Sequence, residues 1–286
     1  MTDGGQNTSV KPRFPLLVLV RASYRFVFEN KAFLPLVLFQ PALLYLILSF
    51  FIDVGGFEFS DEVQTGASGR DTVGFSVNGV ALTLVVFVPA SLLFVSWHRL
   101  ILLAGSEGQP RWLYPPRTRH WKYFGYMTGG LLAGLVSVAF TIIAASIVLA
   151  VLASLLGAIA LLFHYLFLVM LPAAYVVLFA RLSFLFPAIA VDEPYSIADS
   201  WHQTTHITWP LAIGFLLCFL PGGLLLLAMN MILSDFIRGY GGVPLWLEAA
   251  NLFVLSYSSL VSVTFITFVF QGQSGWVQAR SGSESS

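Results

Sequence analysis

Three residues near position 200 have the side-chain types and the spacing of a metal site. Asp199, His202 and His206 are three and four residues apart, so one face of a helix would present all three. Carboxylate oxygens and imidazole nitrogens are common zinc ligands, and His98 or His120 could complete the coordination. The His-Glu-x-x-His pattern of zinc enzymes is absent. We therefore expect a solvated helix face and no bound metal, and we keep the three residues as weak metal candidates.

His164 is the one ionisable residue that falls well inside a predicted membrane-spanning run. Ionisable groups at membrane depth are costly and often take part in transport or in proton transfer. A neutral imidazole is the least costly of them, and it can also form a structural hydrogen bond between helices. We favour the structural hydrogen bond and keep His164 as the intramembrane candidate for a transport path.

The chain contains no arrangement of residues that is typical of catalysis. The apolar runs carry no paired carboxylates, no serine nucleophile has a plausible base, and there is no phosphate-binding glycine loop or Walker motif. We therefore favour a protein that is not an enzyme and that needs no cofactor. An enzyme acting on lipid headgroups, with a site assembled from scattered residues, stays open as the third interpretation.

Basic residues and a tryptophan gather before the first apolar run and between the second and the third. Each lysine or arginine beside a membrane gains about 1 kcal/mol from anionic lipid. The same charges can instead serve only to retain their loops on one side of the membrane. The candidates for lipid or partner binding are Arg21, Arg25, Arg99, Arg111, Arg117, Arg119, Lys122 and Trp121.

Long apolar runs must position these residues. Hydrophobic residues make up 57% of the 286, charged residues make up 10%, and the mean hydropathy is +0.83. A soluble fold of this composition would expose large apolar patches to water, whereas a membrane-spanning helix needs about 20 apolar residues. We predict an all-α membrane protein with six spans, at about 32–52, 77–97, 126–152, 158–180, 209–233 and 247–270.

The longest uncharged stretch of the chain predicts a helical hairpin. Residues 125–180 contain no charge, which is too long for one span and fits two spans joined by a turn at 154–157. In this prediction all six spans belong to one membrane domain, 14–270. We expect residues 1–13 to form a disordered lead and 271–286 to form a polar tail.

The basic residues are divided unequally between the connecting segments. Of the 14 lysines and arginines, 12 fall in alternate segments, and only Arg70 and Arg238 fall in the others. Positive residues are retained on the cytoplasmic side of membrane proteins. We therefore predict a multi-pass protein with both termini in the cytoplasm.

Short amphipathic helices are predicted beside the spans. In the first, 14–30, apolar residues recur every three or four positions and charges line another face. The second, 196–206, begins with Ser196 and Asp199 in the spacing of a capping box. A weaker third example covers Arg117–Phe124, so we expect two or three interfacial helices on the cytoplasmic side.

Glycines and a proline inside the spans predict how the helices meet. Gly125, Gly129, Gly130 and Gly134 form two consecutive Gly-x-x-x-Gly pairs, which permit close helix contact. We expect this contact to lie with the fourth span, and a dimer face is the alternative. Pro221 falls within the fifth span, and we interpret it as a kink rather than as the broken helix of a transporter site.

Two motifs resemble those of a known family. The first is the run Trp97–Leu103 at the end of the second span. The second comprises Arg181–Ser183, Phe186–Ala190, Ser196, Ser200, Trp201, Thr204 and Thr205. Together they resemble a group of bacterial polytopic membrane proteins, which is similar to the membrane domain attached to some glycerophosphoryl diester phosphodiesterases. One departure is His206-Ile207-Thr208, which stands where such proteins often have a Gly-Asn-like break.

The resemblance implies a six-span topology in a bacterial inner membrane. It implies no activity, because the phosphodiesterase reaction belongs to a separate soluble domain. We predict a non-enzymatic protein that organises lipids or protein partners at the cytoplasmic leaflet. Anionic lipids are the expected partners, together with a second copy or another membrane protein, and nothing indicates nucleic acid. A small-solute transporter or channel, with His164 and Pro221 along its path, is the alternative.

Overall fold

In the parts of the chain that it describes, the computed structural model contains helices joined by turns and short loops, and no strands. The described parts are residues 14–35, 38–39, 43–44, 77–103, 117–156, 170, 173–240 and 245–274. The helices are α1 (Leu16–Glu29), α2 (Val77–Leu102), α3 (Thr118–Leu156), α4 (173–182), α5 (Leu185–Ala190), α6 (Ile197–Thr204), α7 (Thr208–Tyr240) and α8 (Leu245–Gln273). A short 3₁₀ turn, Lys31–Phe33, follows α1.

Four helical stretches are long and apolar enough to cross a membrane. They are Thr118–Ile147, Ala173–Ala190, Thr208–Leu233 and Phe253–Gln273. In α2 the stretch Phe87–Leu102 is apolar but shorter. The described helices are therefore those expected of a helical membrane protein. Of the first predicted span, 32–52, the structure describes 32–35, 38–39 and 43–44, and residues 158–169 of the fourth lie outside the described residues.

The third predicted span begins earlier than expected. One continuous helix, α3, runs from Thr118 to Leu156, whereas the sequence predicted a span at 126–152 and a separate interfacial helix at Arg117–Phe124. The prediction of that third short helix is wrong, because its residues form the first turns of α3. The two other short helices are confirmed as α1 and α6.

The fourth predicted span ends too early. The helical residues of α4 continue to 182, and after a turn at Ser183 and Phe184 the chain enters α5. The side chains of Phe184, Ala188 and Ala190 are fully buried. Burial of this segment in the core, which local sequence pattern does not report, accounts for the extra helix.

Helix α8 lies at the centre of the bundle. It packs against α7, α1, α2 and α5, and every residue from Leu260 to Thr267 is buried. Its Phe265 and Phe270 join Trp97 and Phe184 among the fully buried side chains of the main core. Helix α3 differs, because only 6% of its apolar window is buried. In a bilayer most of α3 would therefore contact lipid.

Helices α7 and α8 approach each other closely at two glycines. A Cβ at Gly222 would overlap the Ser258 hydroxyl, and a Cβ at Gly214 would overlap the Phe265 ring. Glycine permits this approach because it has no side chain. Pro221 directly precedes Gly222. It lies inside the continuous helix α7, so the helix is not broken there.

Candidate functional site

Trp97, His98 and Arg99 lie at the end of α2, and each contacts a different neighbour. The Trp97 indole Nε1 donates a hydrogen bond to Thr264 Oγ1 at 2.8 Å. The Thr264 hydroxyl donates its own hydrogen to the Leu260 carbonyl at 2.7 Å, so its lone pairs are left to accept the indole N–H. Thr264 of α8, whose hydroxyl donates to its own helix, thereby orients the Trp97 side chain of α2.

His98 is fully buried and forms hydrogen bonds through both ring nitrogens. Its Nδ1 lies 2.7 Å from Thr267 Oγ1, and its Nε2 lies 3.3 Å from the Tyr123 hydroxyl. Thr267 donates to the Val263 carbonyl at 2.6 Å, so it can only accept from the histidine. We therefore assign the proton to Nδ1 and the acceptor role to Nε2, which receives the Tyr123 hydroxyl.

Arg99 and Arg119 share one carboxylate. Arg119 Nη1 donates to Asp192 Oδ2, and Arg99 Nη1 lies 3.9 Å from the same oxygen while donating to the Ala190 carbonyl at 3.0 Å. The Arg119 side chain is 7% exposed and that of Asp192 is 61% exposed. This Arg–Asp–Arg cluster carries one more positive than negative charge. We call the end of the bundle that holds it the basic end.

The backbone at Asp192 is strained. Its φ of 59° places a non-glycine residue in the left-handed region, directly after α5. Aspartate tolerates this region better than most residues, and such conformations persist only where the surroundings hold them in place. Here the backbone forms the two hydrogen bonds of a Schellman cap, from the Asp192 N–H to the Ile189 carbonyl at 3.2 Å and from the Glu193 N–H to the Ala188 carbonyl at 3.0 Å.

Arg181 connects α4 to α6 through both its backbone and its side chain. Its carbonyl accepts hydrogen bonds from Ser200 Oγ at 2.8 Å and from Thr204 Oγ1 at 3.1 Å. Its guanidinium donates to Thr205 Oγ1 at 2.6 Å and lies 5.0 Å from the centre of the Trp201 ring. The residues of the second motif are thus brought together, and their contacts attach α6 to the bundle.

The start of α6 confirms the predicted capping box. The Ser196 backbone N–H donates to Asp199 Oδ2 at 2.8 Å, and the Asp199 N–H donates to Ser196 Oγ at 3.2 Å. Hydrogen bonds from the Ser196 hydroxyl, and then from its backbone N–H, lower the pKa of the Asp199 carboxyl. Burial raises the pKa of Tyr195 to about 12, with a smaller contribution from Asp199.

The weak metal candidates do not assemble into a site. Within the described residues, no group of three His, Cys, Asp or Glu side chains is placed to hold a metal ion. The carboxylate of Asp199 is engaged by Ser196, and His202 and His206 are exposed. His98, which could have completed the set, is held by Thr267 instead.

A cavity of about 600 Å³ lies against α3, beside the buried pair of His98 and Tyr123. Its wall runs along α3 from Tyr123 to Ala133 and is completed by residues of α2, α4, α5, α6, α7 and α8, among them Phe94, Tyr175 and Ile266. The lining atoms are almost all apolar. The cavity begins at the buried pair of His98 and Tyr123, so it adjoins the basic end.

The glycines of α3 are only partly used for helix contact. A Cβ at Gly134 would overlap the Tyr175 ring of α4, which confirms the predicted contact with the fourth span at that position. A Cβ at Gly125, Gly129 or Gly130 would meet nothing within 4 Å. These three glycines line the cavity instead.

No protein-family model, curated protein or solved structure matches the chain. The resemblance to the membrane domain of some glycerophosphoryl diester phosphodiesterases therefore stays a prediction. The structure adds the contacts of the two motifs, since the first supplies Arg99 to the Arg–Asp–Arg cluster and Ala190 of the second accepts a hydrogen bond from Arg99.

The remaining candidate residues differ in exposure. The exposed ones are Arg21, Arg25, Arg117, Trp121 and Lys122. Arg99 is partly buried, and Arg119 is buried. Arg111 and His164 lie outside the described residues. Sequence reasoning missed Asp192 and the pairing of His98, because both depend on contacts between residues far apart in the chain.

Proposed function

We propose that the chain is a six-span protein of a bacterial inner membrane with both termini in the cytoplasm. In this proposal its basic end contacts anionic lipid headgroups of the cytoplasmic leaflet and organises lipids or membrane-protein partners there without catalysis. Four membrane-length helices support the membrane location. The division of the basic residues between alternate loops supports the orientation.

The observation that carries the proposal is the exposure of the first residues of α3 and of Arg117, which directly precedes them. Arg117, Trp121 and Lys122 are exposed there, with 58% of Trp121 accessible. Trp209, at the start of α7, is also 65% exposed. Cations and indole rings at the ends of apolar helices fit the headgroup zone of a bilayer. Arg119 lies between the exposed residues and is held by Asp192.

The apolar cavity favours lipid over a small solute. A transport path for a polar solute needs groups that replace its hydration, whereas this wall is almost wholly apolar. Among its polar members, His98 and Tyr123 already bond to each other, and His98 also bonds to Thr267. The lining therefore suits hydrocarbon, which supports lipid contact as the first function to test.

Lipid retention tests the proposal. The protein is reconstituted in nanodiscs of phosphatidylcholine and phosphatidylglycerol, extracted in mild detergent, and analysed by mass spectrometry for the lipids that stay bound. The double variant Arg117→Gln, Lys122→Gln should lower the retained ratio of phosphatidylglycerol to phosphatidylcholine about fivefold per charge. Arg238→Gln, at the far end of α7, removes the same kind of charge as a control. Equal ratios in the two variants would refute the proposal.

Thiol labelling tests the orientation. Single cysteines replace Ser9, Ser68 or Ser283 in whole cells, where a membrane-impermeant maleimide reaches only the outer side. Native Cys218 is buried and gives little background. We expect labelling of Ser68→Cys in intact cells, and labelling of the other two only after the membrane is opened. The reverse pattern would invert the topology.

A further inference from the structure

The cavity beside α3 has the size of a ligand pocket. Its volume of about 600 Å³ falls within the roughly 300–1,000 Å³ of typical small-molecule sites. It opens at the surface of the bundle, because Gly125, Gly129 and Gly130 in its wall are exposed. In a membrane this opening would face the lipid tails.

Three polar residues of the wall, His98, Tyr123 and Ser262, have partners already, and the lining atoms are almost all apolar. His98 and Tyr123 are bonded to each other, and His98 is also bonded to Thr267. The Ser262 hydroxyl donates to the Ser258 carbonyl at 3.0 Å. A ligand in this cavity would therefore gain little from polar groups and would bury apolar surface instead. Hydrocarbon is the chemistry that the wall selects.

The glycines of α3 supply the room. Gly129 and Gly130 would place a Cβ in open space, while Gly134, one turn further on, is filled by Tyr175. Small residues that touched a neighbouring helix would show a contact at each position, as Gly134 does. Gly129 and Gly130, which lie nearer the basic end than Gly134, instead widen the cavity along α3.

A cation stands at the end of the cavity that adjoins the basic end. Lys122 is exposed and lies three and four residues before Gly125 and Tyr126, which line the cavity. Residues at this spacing share one face of a helix. A chain lying along this face of α3 would thus place an anionic headgroup beside Lys122, with Arg119 one turn away in the Arg–Asp–Arg cluster.

We infer that the cavity binds one acyl chain of an anionic phospholipid whose phosphate lies against Lys122. The inference rests on the proposed function, since the basic end must face the headgroups, and it adds a defined site to general headgroup contact. Tail and headgroup are recognised by different residues of the same helix face. Each half can therefore be removed separately.

Photo-crosslinking tests both halves on the full chain in phosphatidylcholine nanodiscs. The probe is phosphatidylglycerol with a diazirine in the middle of one acyl chain, and peptide mass spectrometry locates the adduct. We expect adducts on the peptides of α3 and α4 that line the cavity. Gly129→Leu and Gly130→Leu, made separately, should each lower this labelling about tenfold, the change expected when one or two methylene groups lose their burial. Gly272→Leu is the matched control, because its Cβ also meets nothing within 4 Å and it lies outside the cavity.

Lys122→Gln tests the headgroup. This variant should label equally with phosphatidylglycerol and with a phosphatidylcholine probe of the same chain, whereas the unsubstituted protein should prefer phosphatidylglycerol. Lys31→Gln, at the turn after α1, removes an exposed lysine as the control. Equal labelling of the unsubstituted protein by the phosphatidylglycerol and phosphatidylcholine probes would overturn the headgroup half.

Three further outcomes would overturn the tail half. The first is no labelling of the unsubstituted protein, which would mean that other protein fills the cavity. The second is adducts on peptides that do not line the cavity. The third is a loss of labelling in Gly272→Leu equal to that in the cavity variants. Thermal unfolding in detergent confirms that each variant is folded. If the cavity variants label normally while Arg117→Gln, Lys122→Gln loses its lipid ratio, the inference fails and the proposed function stands. If the double variant Arg117→Gln, Lys122→Gln retains the unsubstituted ratio of phosphatidylglycerol to phosphatidylcholine while the cavity variants lose labelling, the proposed function fails.

Discussion

His98 Nδ1 lies 2.7 Å from Thr267 Oγ1 and joins the basic end of α2 to the centre of α8. The neighbouring pair, Trp97 and Thr264, repeats the same arrangement three residues earlier on α8. In both pairs the threonine hydrogen is donated to its own helix, so the oxygen acts as an acceptor for the partner ring. The two motif residues Trp97 and His98 are thus structural attachments between helices.

Thr267→Val should destabilise the fold. Valine keeps the shape but removes the acceptor, so the buried N–H of His98 loses its partner. We expect a loss of about 1–3 kcal/mol in the free energy of unfolding, measured by steric trapping in bicelles.

Two controls separate this bond from the loss of a hydroxyl in general. Thr141→Val removes a hydroxyl that bonds only to its own helix, at Ser137, and should change the free energy by no more than about 0.5 kcal/mol. In a His98→Leu background the cost of Thr267→Val should also fall below about 0.5 kcal/mol, because both partners are then apolar. An unchanged cost in that background would show that packing, not the hydrogen bond, is responsible.

Gly222→Ala should separate α7 from α8. The new methyl would overlap the Ser258 hydroxyl and lie 2.8 Å from its Cβ, so we expect a loss of about 1–3 kcal/mol, as for other overpacked cores. Gly223 offers the matched control, since a Cβ there meets only Phe219 at 3.7 Å. Gly223→Ala should be neutral or stabilising by up to about 1 kcal/mol, because alanine favours helix. Similar losses in both variants would contradict the close approach.

Asp192→Asn tests the Arg–Asp–Arg cluster. Asparagine also tolerates a positive φ, so the change removes the charge without altering the backbone requirement. Arg119 would remain nearly buried without a carboxylate partner, and we expect a loss of about 1–2 kcal/mol, moderated by the exposure of Asp192. Glu193→Gln removes the adjacent exposed charge and should stay within about 0.5 kcal/mol. Thermal melting in detergent with a free-energy calibration compares the two variants.

Local patterns predicted the helices well. Apolar run length located α3, α7 and α8, although each extends past its predicted end. The capping box at Ser196 was predicted because its two residues lie three apart and interact within one turn. These features depend only on residues that are close together in the sequence, so the sequence alone is enough to predict them.

Contacts between distant segments were not predictable. Asp192 and Arg119 are 73 residues apart, and an aspartate in a loop gives no sign of its partner. The Gly-x-x-x-Gly pairs showed that α3 could pack closely, but not that Gly134 would contact Tyr175 while Gly129 and Gly130 faced open space. Which glycine packs depends on the path of the neighbouring helix.

The Ser196 and Asp199 pair predicts a pH effect at the start of α6. Folding lowers the pKa of the Asp199 carboxyl, chiefly because the Ser196 hydroxyl donates to the charged form. A group whose pKa is lower in the folded state stabilises that state above its unfolded pKa. This contribution is lost as the pH falls through the folded pKa. Acidification should therefore loosen the first turn of α6, which hydrogen exchange of its amides would report.

Ser196→Ala should raise the pKa of Asp199 toward its ordinary value, because the strongest hydrogen bond to the carboxylate disappears. A carbon-13 NMR titration of the Asp199 carboxyl in detergent micelles measures the shift. Ser196→Thr keeps the hydroxyl and should preserve both the low pKa and the slow amide exchange, whereas Ser196→Ala should speed exchange several-fold, as when other N-cap serines are replaced by alanine. If the alanine and threonine variants titrated alike, the serine hydroxyl would not be the cause, and the cap would depend on the Ser196 backbone N–H alone.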